Sequence, residues 1–286
     1  MKNIIFLLPL YNDWKSLQKL LSKINTQLKK ISLKGSIVVI DDNSSFDPVV
    51  SIKKLKNIKK LDVLKLNKNL GSQKAISIGL SYLQLKKTKA IITILDSDGE
   101  DDYTRIPEMI FSAKKNKNKV VVSCRTRRTE GIFFNLLYAL HKVIVFIFSG
   151  YWINFGNFST FNSNNLKKIL INKSSSLAVS ATLAKNCQII KLYAERKKRF
   201  YGNSKLSLFG LIDHALRVSL VFFPRFILVS FFYIFLIFFL KLNIFISYIL
   251  VIFILFFNLC LLLSYIRNKS NLFDNNLKLI CKKLHF

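Results

Sequence analysis

The chain has 286 residues, a length that suits one α/β domain of ordinary size with a small appended region. Hydrophobic residues make up 51% of it, yet 45 Lys and Arg stand against 15 Asp and Glu, which argues against a simple soluble domain and predicts an anionic partner. The four cysteines lie far apart without a C-x-x-C pair, which excludes a disulfide framework and a zinc site of the usual spacing.

Strand-like and helix-like segments alternate through the first 125 residues. Short β-branched or Leu-rich runs predict strands at 3–8, 36–40, 61–66, 90–95 and 119–123. Apolar residues at three- and four-residue steps predict helices at 14–31, 71–85 and 105–115. This alternation is typical of an α/β fold with a mostly parallel sheet covered on both faces, in which ligands bind at the carboxyl ends of the strands.

Two later segments are apolar but interrupted by polar residues. The stretch 131–150 has His141 and Lys142 near its centre, which predicts a helix in the membrane interface, although its length also suits a third membrane crossing. Polar residues, Asp213 among them, interrupt the stretch 206–224, which is predicted to be a juxtamembrane amphipathic helix.

The most apolar region of the chain is 225–266, which is too long for one membrane crossing and suits two. Its only charged residues are Arg225 and Lys241, and we predict a transmembrane hairpin that turns at Lys241. A basic tail at 267–286 outweighs the single lysine of the turn, so the positive-inside rule places both termini and the domain at 1–205 in the cytoplasm. The alternative is a buried helical hairpin of a soluble protein.

Acidic residues follow three of the predicted strands. The first strand leads to Asp13, the second to Asp41 and Asp42, and the fourth to Asp96 and Asp98. At one edge of a sheet these carboxylates would repel one another unless a cation joined them. A divalent ion that also binds a nucleotide diphosphate meets this need, because Mg²⁺ and Mn²⁺ prefer oxygen ligands and share them with phosphates.

These segments, taken in order, resemble glycosyltransferase family 2. Residues 9–13 (PLYND) resemble its P-x-Y-N-E opening with Asp for Glu, and residues 41–44 (DDNS) resemble its D-D-x-S. Residues 69–75 (NLGSQKA) resemble its N-x-G-x-x-x-A, and residues 96–98 (DSD) take the place of its metal-binding D-x-D. The chain is most similar to the polyprenyl-phosphate branch akin to dolichol-phosphate mannose synthase, which implies the Rossmann-like GT-A fold and a Mg²⁺ or Mn²⁺ cofactor.

The second half of the chain resembles this branch more loosely. Residues 156–159 (GNFS) resemble its G-[DN]-F element near the acceptor, and residues 195–205 resemble its R-x-x-G-x-S-K loop over the donor phosphates. The resemblance implies that the acceptor phosphate is bound by Arg125, Arg127, Arg128 and Asn157. A simpler interpretation of 195–205 is a polybasic segment at a membrane surface.

The resemblance and the strand-end positions together predict a role for each residue. The residues predicted to bind the nucleotide-sugar are Pro9, Tyr11, Asn12, Asp13, Asp41, Asp42, Ser44, Gly71, Lys74, Asp96, Arg199 and Lys205. Asp98, with Asp96, is predicted to bind the metal, and both are predicted to be catalytic. If the reaction requires a general base, Asp101 or Asp102 is the candidate.

These roles predict an inverting, metal-dependent transfer of a sugar from a nucleotide-diphosphate sugar to a polyprenyl phosphate at the cytoplasmic face of the membrane. That acceptor is already anionic and needs no base, which suits Asn157 where some relatives have Asp. Two alternatives stay open: extension of a lipid-linked glycan through a sugar hydroxyl, and a catalytically inactive membrane-surface protein. No nucleic-acid partner is predicted, because no recognised module is present. Relatives of this branch imply a homo-oligomer.

Overall fold

The computed structural model describes residues 3–125, 132–202, 208–240, 243–273 and 276–286. The chain forms two compact units. The first comprises Met1–Thr129, Asn154–Lys205 and Asp274–Phe286, and the second comprises Glu130–Ile153 and Leu206–Phe273.

The first unit contains an eight-stranded sheet. Its strands are β1 Asn3–Leu10, β2 Gly35–Asp41, β3 Ile58–Leu66, β4 Ala90–Ile94, β5 Lys119–Arg125, β6 Phe155–Asn162, β7 Gln188–Ala194 and β8 Ile280–His285. They lie in the order β7-β5-β6-β4-β1-β2-β3-β8. The pairs β1–β2, β1–β4, β2–β3 and β5–β7 are parallel, while β6 and β8 run antiparallel to their neighbours. All five predicted strands are confirmed, and the sheet is mixed but mostly parallel.

Nine α-helices are found in the described part of the chain. They are α1 Trp14–Lys30, α2 Ser72–Leu85, α3 Ile106–Lys115, α4 Ile132–Ser149, α5 Leu166–Leu170, α6 Val179–Asn186, α7 Leu208–Leu220, α8 Phe223–Phe239 and α9 Ile244–Phe273. In α1 the predicted apolar face is fully buried at Leu17, Leu20 and Leu21. Each such side chain contributes about 1.5–3 kcal/mol by leaving water.

The core explains why the polar residues gather at one edge of the sheet. The middle of β1, including Phe6, Leu7 and Leu8, is inaccessible to solvent on both faces. A parallel strand covered on both faces leaves only its ends to solvent. The carboxyl ends of β1, β2 and β4 therefore present the segments that follow them to one edge.

The region predicted as a basic tail at 267–286 is partly a strand of the sheet. Helix α9 continues to Phe273, and β8 then pairs with β3, with Leu284 opposite Val63. Asp62 accepts a 2.5 Å hydrogen bond from His285 Nδ1. The sequence does not reveal β8 because lysines interrupt its apolar alternation, as is common in strands that protect the edge of a sheet.

The second unit consists of α4, α7, α8 and α9. The rings of Phe148 and Phe226 stack with centroids 5.1 Å apart, and Phe257 packs 5.8 Å from Phe226. Ser230 on α8 donates a 3.2 Å hydrogen bond to Asn258 on α9. These contacts join α4, α8 and α9 through aromatic packing and one polar contact.

The predicted hairpin corresponds to α8 and α9. By length and composition, one described helix, at Ile244–Lys269, is long and apolar enough to cross a membrane. A second span exists if α7 and α8, which meet at an angle of 86°, are taken together. The predicted turn at Lys241 lies outside the described residues.

Candidate active site

Hydrogen bonds join the segments that follow β1 and β2. Asn12, whose φ is +53°, donates its backbone N–H to Ser44 Oγ at 2.9 Å and accepts from the Ser45 N–H at 2.8 Å. Asp41 Oδ1 accepts the Ser44 N–H at 2.9 Å. The other carboxylate oxygen of Asp41 is buried and has no hydrogen-bond partner among the described residues. It is therefore suited to accept from an N–H or O–H of a ligand.

Asp42 fixes the start of α2. Its two carboxylate oxygens accept the backbone N–H groups of Leu70 and Gly71, each at 2.7 Å. Gly71 has φ +84°, a conformation that favours glycine. Burial raises the pKa of Asp42, and the two backbone hydrogen bonds oppose that rise. The predicted nucleotide-binding residues Lys74 and Tyr11 differ in exposure: Lys74 is buried, whereas Tyr11 is exposed.

The turn after β4 is tied to β1 and to itself. Ser97 Oγ donates to the Pro9 carbonyl at 2.9 Å. Asp101 Oδ2 accepts the backbone N–H of Asp96 at 3.0 Å, so the buried Asp101 carboxylate holds the position from which Asp96 projects. Asp96 and Asp98 are half-buried at this edge of the sheet.

Burial makes the carboxylates of this turn more basic than usual. It raises the pKa of Asp96 to about 6, with a further contribution from the charge of Asp101. It raises the pKa of Asp98 to about 6 as well, with the charge of Asp96 as the second cause. The pKa of Asp101 is also raised by burial, against the opposing effect of the Arg125 guanidinium 3.7 Å away. A bound cation would stabilise the ionised forms of these carboxylates and lower their pKa values.

Arg199 links the ends of two strands. Its Nη1 donates to Asp98 Oδ2 at 3.2 Å, and its Nη2 donates to Asp13 Oδ2 at 2.5 Å. The next residue, Phe200, donates its N–H to the Asp98 carbonyl at 3.0 Å. A Cβ at Gly99 would lie 2.3 Å from the Phe200 ring, so only glycine allows this approach. The segment after β7 is thus packed onto the turn after β4.

Asn157 on β6 lies beside Asp96. Its Nδ2 donates to Asp96 Oδ1 at 3.1 Å, and its Oδ1 accepts from Gln73 Nε2 at 3.1 Å. Gln73 Oε1 in turn accepts the Val179 N–H at 2.8 Å. The residue predicted to contact the acceptor is therefore placed next to the predicted metal ligands.

The structure brings most of the predicted donor-site residues to one edge and adds others. The predicted residues that lie outside the described part of the chain are Arg127, Arg128 and Lys205. Sequence reasoning missed Gln73 and the ion pair between Glu100 and Arg196, although Gln73 and Arg196 fall inside motifs that it used. Their partners are distant in sequence, so spacing gave no signal.

The donor atoms fit a Mg²⁺ or Mn²⁺ site that is completed by a ligand. Among the described residues, no group of three or more His, Cys, Asp and Glu could hold a metal alone. Asp96 and Asp98 offer two carboxylates of raised pKa instead. Two carboxylates supplemented by phosphate oxygens and water are a common environment for these hard ions.

The chain is similar to several known proteins. The family model described as Glycosyl transferase family 2 matches residues 5–180. An undecaprenyl-phosphate 4-deoxy-4-formamido-L-arabinose transferase of Klebsiella pneumoniae (strain 342) is 29% identical over 134 residues, which are 46% of this chain and 39% of the relative. The match thus spans well under half of that protein.

Two solved structures share the fold. Glucosyl-3-phosphoglycerate synthase from Mycobacterium tuberculosis, in complex with Mn²⁺, UDP-glucose and phosphoglyceric acid, has a TM-score of 0.54 at 13% identity, over 78% of this chain and 79% of that chain. Mannosyl-3-phosphoglycerate synthase from Rubrobacter xylanophilus has a TM-score of 0.53 at 15% identity, over 78% and 74%. The family match covers more than half of the chain and includes the strand-end motifs at 9–13, 41–44 and 96–98, but not the segment 195–205. The chain therefore belongs to glycosyltransferase family 2 and is a glycosyltransferase with the GT-A fold.

Proposed function

We propose that this enzyme transfers a sugar, with inversion, from a nucleotide-diphosphate sugar to a polyprenyl phosphate at the cytoplasmic face of a membrane. The observation that carries the proposal is the pair of half-buried carboxylates, Asp96 and Asp98, opposite the Arg199 guanidinium. Two carboxylates that can bind a cation, beside a guanidinium that can bind phosphate, suit a diphosphate with its counter-ion.

The donor half of the site follows from these contacts. Asp98 and Asp96 would hold Mg²⁺ or Mn²⁺, which neutralises the charge that develops on the diphosphate as the bond to the sugar breaks. Arg199 lies within hydrogen-bond distance of Asp98 and is placed to donate to the same leaving group. The unpaired oxygen of Asp41 would accept from the nucleoside. The bound Mn²⁺ and UDP-glucose of the Mycobacterium tuberculosis synthase support this class of donor.

The acceptor half favours a phosphate over a hydroxyl. A hydroxyl needs a general base, but Glu100 is paired with Arg196, and both oxygens of Asp101 are engaged by the Asp96 N–H and by Arg125. We therefore propose that Asp101 supports Asp96 and does not act as a base. A phosphate is already ionised and needs only positive charge, which Arg125 supplies together with the predicted Arg127 and Arg128. Similarity to the undecaprenyl-phosphate 4-deoxy-4-formamido-L-arabinose transferase of Klebsiella pneumoniae supports a polyprenyl phosphate as the acceptor.

Sheet connectivity limits how the chain can cross a membrane. Strands β5 and β6 are hydrogen-bonded neighbours, and α4 is the one described helix between them. Because a single crossing would place two paired strands on opposite sides of the membrane, this pairing supports an interfacial helix over a crossing. The exposed apolar side chains of α4 at Leu136, Leu140 and Val143 recur at helical spacing, which suits a helix in the interface.

The same reasoning applies to the last helices. Strands β7 and β8 belong to one sheet, so α7, α8 and α9 must together cross an even number of times. A single crossing by α9 would separate β8 from β3. We therefore propose that α8 crosses as well. Its 17 residues span about 25 Å, slightly less than a typical hydrocarbon core, so local thinning or a contribution from α7 is needed.

Cysteine labelling tests this hairpin. In a variant that keeps Cys281 on β8 as its only cysteine, a membrane-impermeant maleimide should label the protein only after the membrane is permeabilised. Replacing Cys281 and introducing Asn243→Cys before α9 should give labelling from the outside of intact spheroplasts. Labelling of Cys281 from the outside, or protection of Asn243→Cys, would contradict two crossings.

The transfer reaction itself is tested with labelled donors. We expect one member of a panel of UDP-, GDP- and dTDP-sugars to give a labelled, organic-extractable product with undecaprenyl phosphate in detergent, and only when Mn²⁺ or Mg²⁺ is present. Binding of a nucleotide-sugar without any lipid product would instead favour extension of a lipid-linked glycan through a hydroxyl. Absence of both binding and product would support a catalytically inactive protein.

A further inference from the structure

We propose that Gln73 is a positioning residue of the donor site and acts on Asp96 through Asn157. Gln73 lies in the first turn of α2 and is only 6% exposed. This inference rests on the proposed function, because it concerns the orientation of a carboxylate that we assign to the donor and metal.

The groups at the two ends of this hydrogen-bond network fix the orientation of the Gln73 and Asn157 side-chain amides. A backbone N–H can only donate, so the 2.8 Å contact from Val179 must be accepted by Gln73 Oε1. Gln73 Nε2 therefore donates to Asn157 Oδ1 at 3.1 Å. The remaining Nδ2 of Asn157 faces Asp96 Oδ1 at 3.1 Å as a donor to a carboxylate.

This network holds Asp96 in one position. Val179 is the first residue of α6, so the series of dipoles begins at the positive end of a helix and finishes at a carboxylate. Asp101 holds the backbone N–H of Asp96 at the same time. A buried network with every member satisfied is rigid, whereas one with a missing member leaves polar groups free to turn. Without Gln73, the Asn157 amide loses the contact that keeps its oxygen away from Asp96.

A neighbouring contact supplies a matched control. Ser77, one turn after Gln73 on α2, shares hydrogen bonds with Ser175 at 2.9 Å and Ser176 at 3.1 Å. These bonds join α2 to the segment before Val179 without including Asn157. Ser77→Ala therefore weakens the contact between α2 and that segment and leaves the hydrogen-bond network to Asp96 intact.

The experiment measures binding of UDP and of GDP with Mn²⁺ to the full chain in detergent by calorimetry. Gln73→Met keeps the volume and removes both hydrogen bonds, so we expect affinity to fall about 5- to 10-fold. Gln73→Glu should lose more affinity. Its second carboxylate oxygen would face Asn157 Oδ1, and the Asn157 amide would then turn over and point its oxygen at the Asp96 carboxylate. Ser77→Ala should stay within about 2-fold of the wild type, as is usual for a substitution outside the site.

A double-mutant cycle decides whether Gln73 acts through Asn157. We expect Gln73→Met to cause no further loss in the background of Asn157→Leu. Additive losses, or an equal loss in Ser77→Ala, would overturn the assignment and leave Gln73 with a packing role. Failure of the wild type to bind either nucleotide with Mn²⁺ would overturn the proposed function, and this inference with it.

Discussion

The two units treat their large apolar side chains in opposite ways. In the first unit, Phe158 and Phe161 are at most 1% exposed. In the second unit, Phe231, Phe235 and Phe238 on α8 are 61–67% exposed. Water drives apolar surface into a core, and a soluble protein rarely exposes contiguous apolar surface. The buried rings of the first unit are typical of a domain surrounded by water, and the exposed apolar surface of the second unit supports the lipid environment proposed above.

The polar groups of the two units also differ in what they join. In the first unit they form networks at the ends of strands, where ligands bind. In α8 and α9 a polar contact such as Ser230 to Asn258 joins two helices directly. Without water as a competitor, such contacts help to associate helices. If α8 and α9 lie in lipid, as proposed above, one chain applies the same bonding rules in two solvents, and this can be tested in each unit.

The largest expected effect is at the site of the first unit. Asp98→Asn should lower transfer at least about 1,000-fold, because it removes a charge on which metal and diphosphate binding depend. Since burial penalises the charge of Asp98 and raises its pKa, losing that charge should not lower the ligand-free melting temperature. The exposed Asp47→Asn is the control for transfer and melting. Metal-dependent turnover near the wild-type rate would refute the metal role of Asp98.

The next effect compares exposed apolar residues of the two units. Leu255 on α9 is 54% exposed and Val49 in the first unit is 78% exposed. Leu255→Arg should cost about 2.5–3.5 kcal/mol of membrane insertion, whereas Val49→Arg should cost nothing. The measurement is the fraction of protein that remains in membranes after alkaline extraction. Equal behaviour of the two variants would contradict a lipid environment for α9.

The sequence was sufficient where the signal is local. Strands β1, β2, β4 and β5 contain short continuous apolar runs, and carboxylates lie at or soon after the ends of β1, β2 and β4. It was insufficient where pairing is long-range: Gln73 reaches Asn157 across 84 positions and Val179 across 106. Likewise, the argument proposed above for an interfacial helix at 131–150 rests on the pairing of β5 with β6 on either side, which local patterns do not reveal.

A smaller effect is expected from pH. The pKa of Asp96 and that of Asp98 are each raised to about 6, above the usual value of 3.8, and donor binding needs the ionised forms. Affinity for a nucleotide-sugar with Mn²⁺ should therefore be constant above pH 6. Below pH 6 it should fall by up to about tenfold per pH unit for each proton displaced. Both phosphates of the ligand are esterified, so the ligand does not titrate in this range.

Ligand-free stability should have the opposite sign. Because the folded state binds these protons more tightly than the unfolded state, the two carboxyls stabilise the fold increasingly as the pH falls through about 6 towards 4. Melting curves of the wild type and of Asp98→Asn across pH 5–8, about the range that isolates these groups, check this. Affinity and stability that fall together would show that other groups dominate.

The smallest effect should come from Arg199→Lys. A lysine keeps the charge but cannot contact Asp98 and Asp13 with two separate nitrogens, as the guanidinium does. Donor affinity should therefore fall about 5- to 10-fold, with the KM for the lipid acceptor unchanged. Arg105→Lys, at an exposed i,i+3 pair with Glu108, is the matched control and should have no effect. A higher acceptor KM with unchanged donor affinity would instead place the segment after β7 against the lipid phosphate, and the basic charge of the site would then belong to the acceptor half.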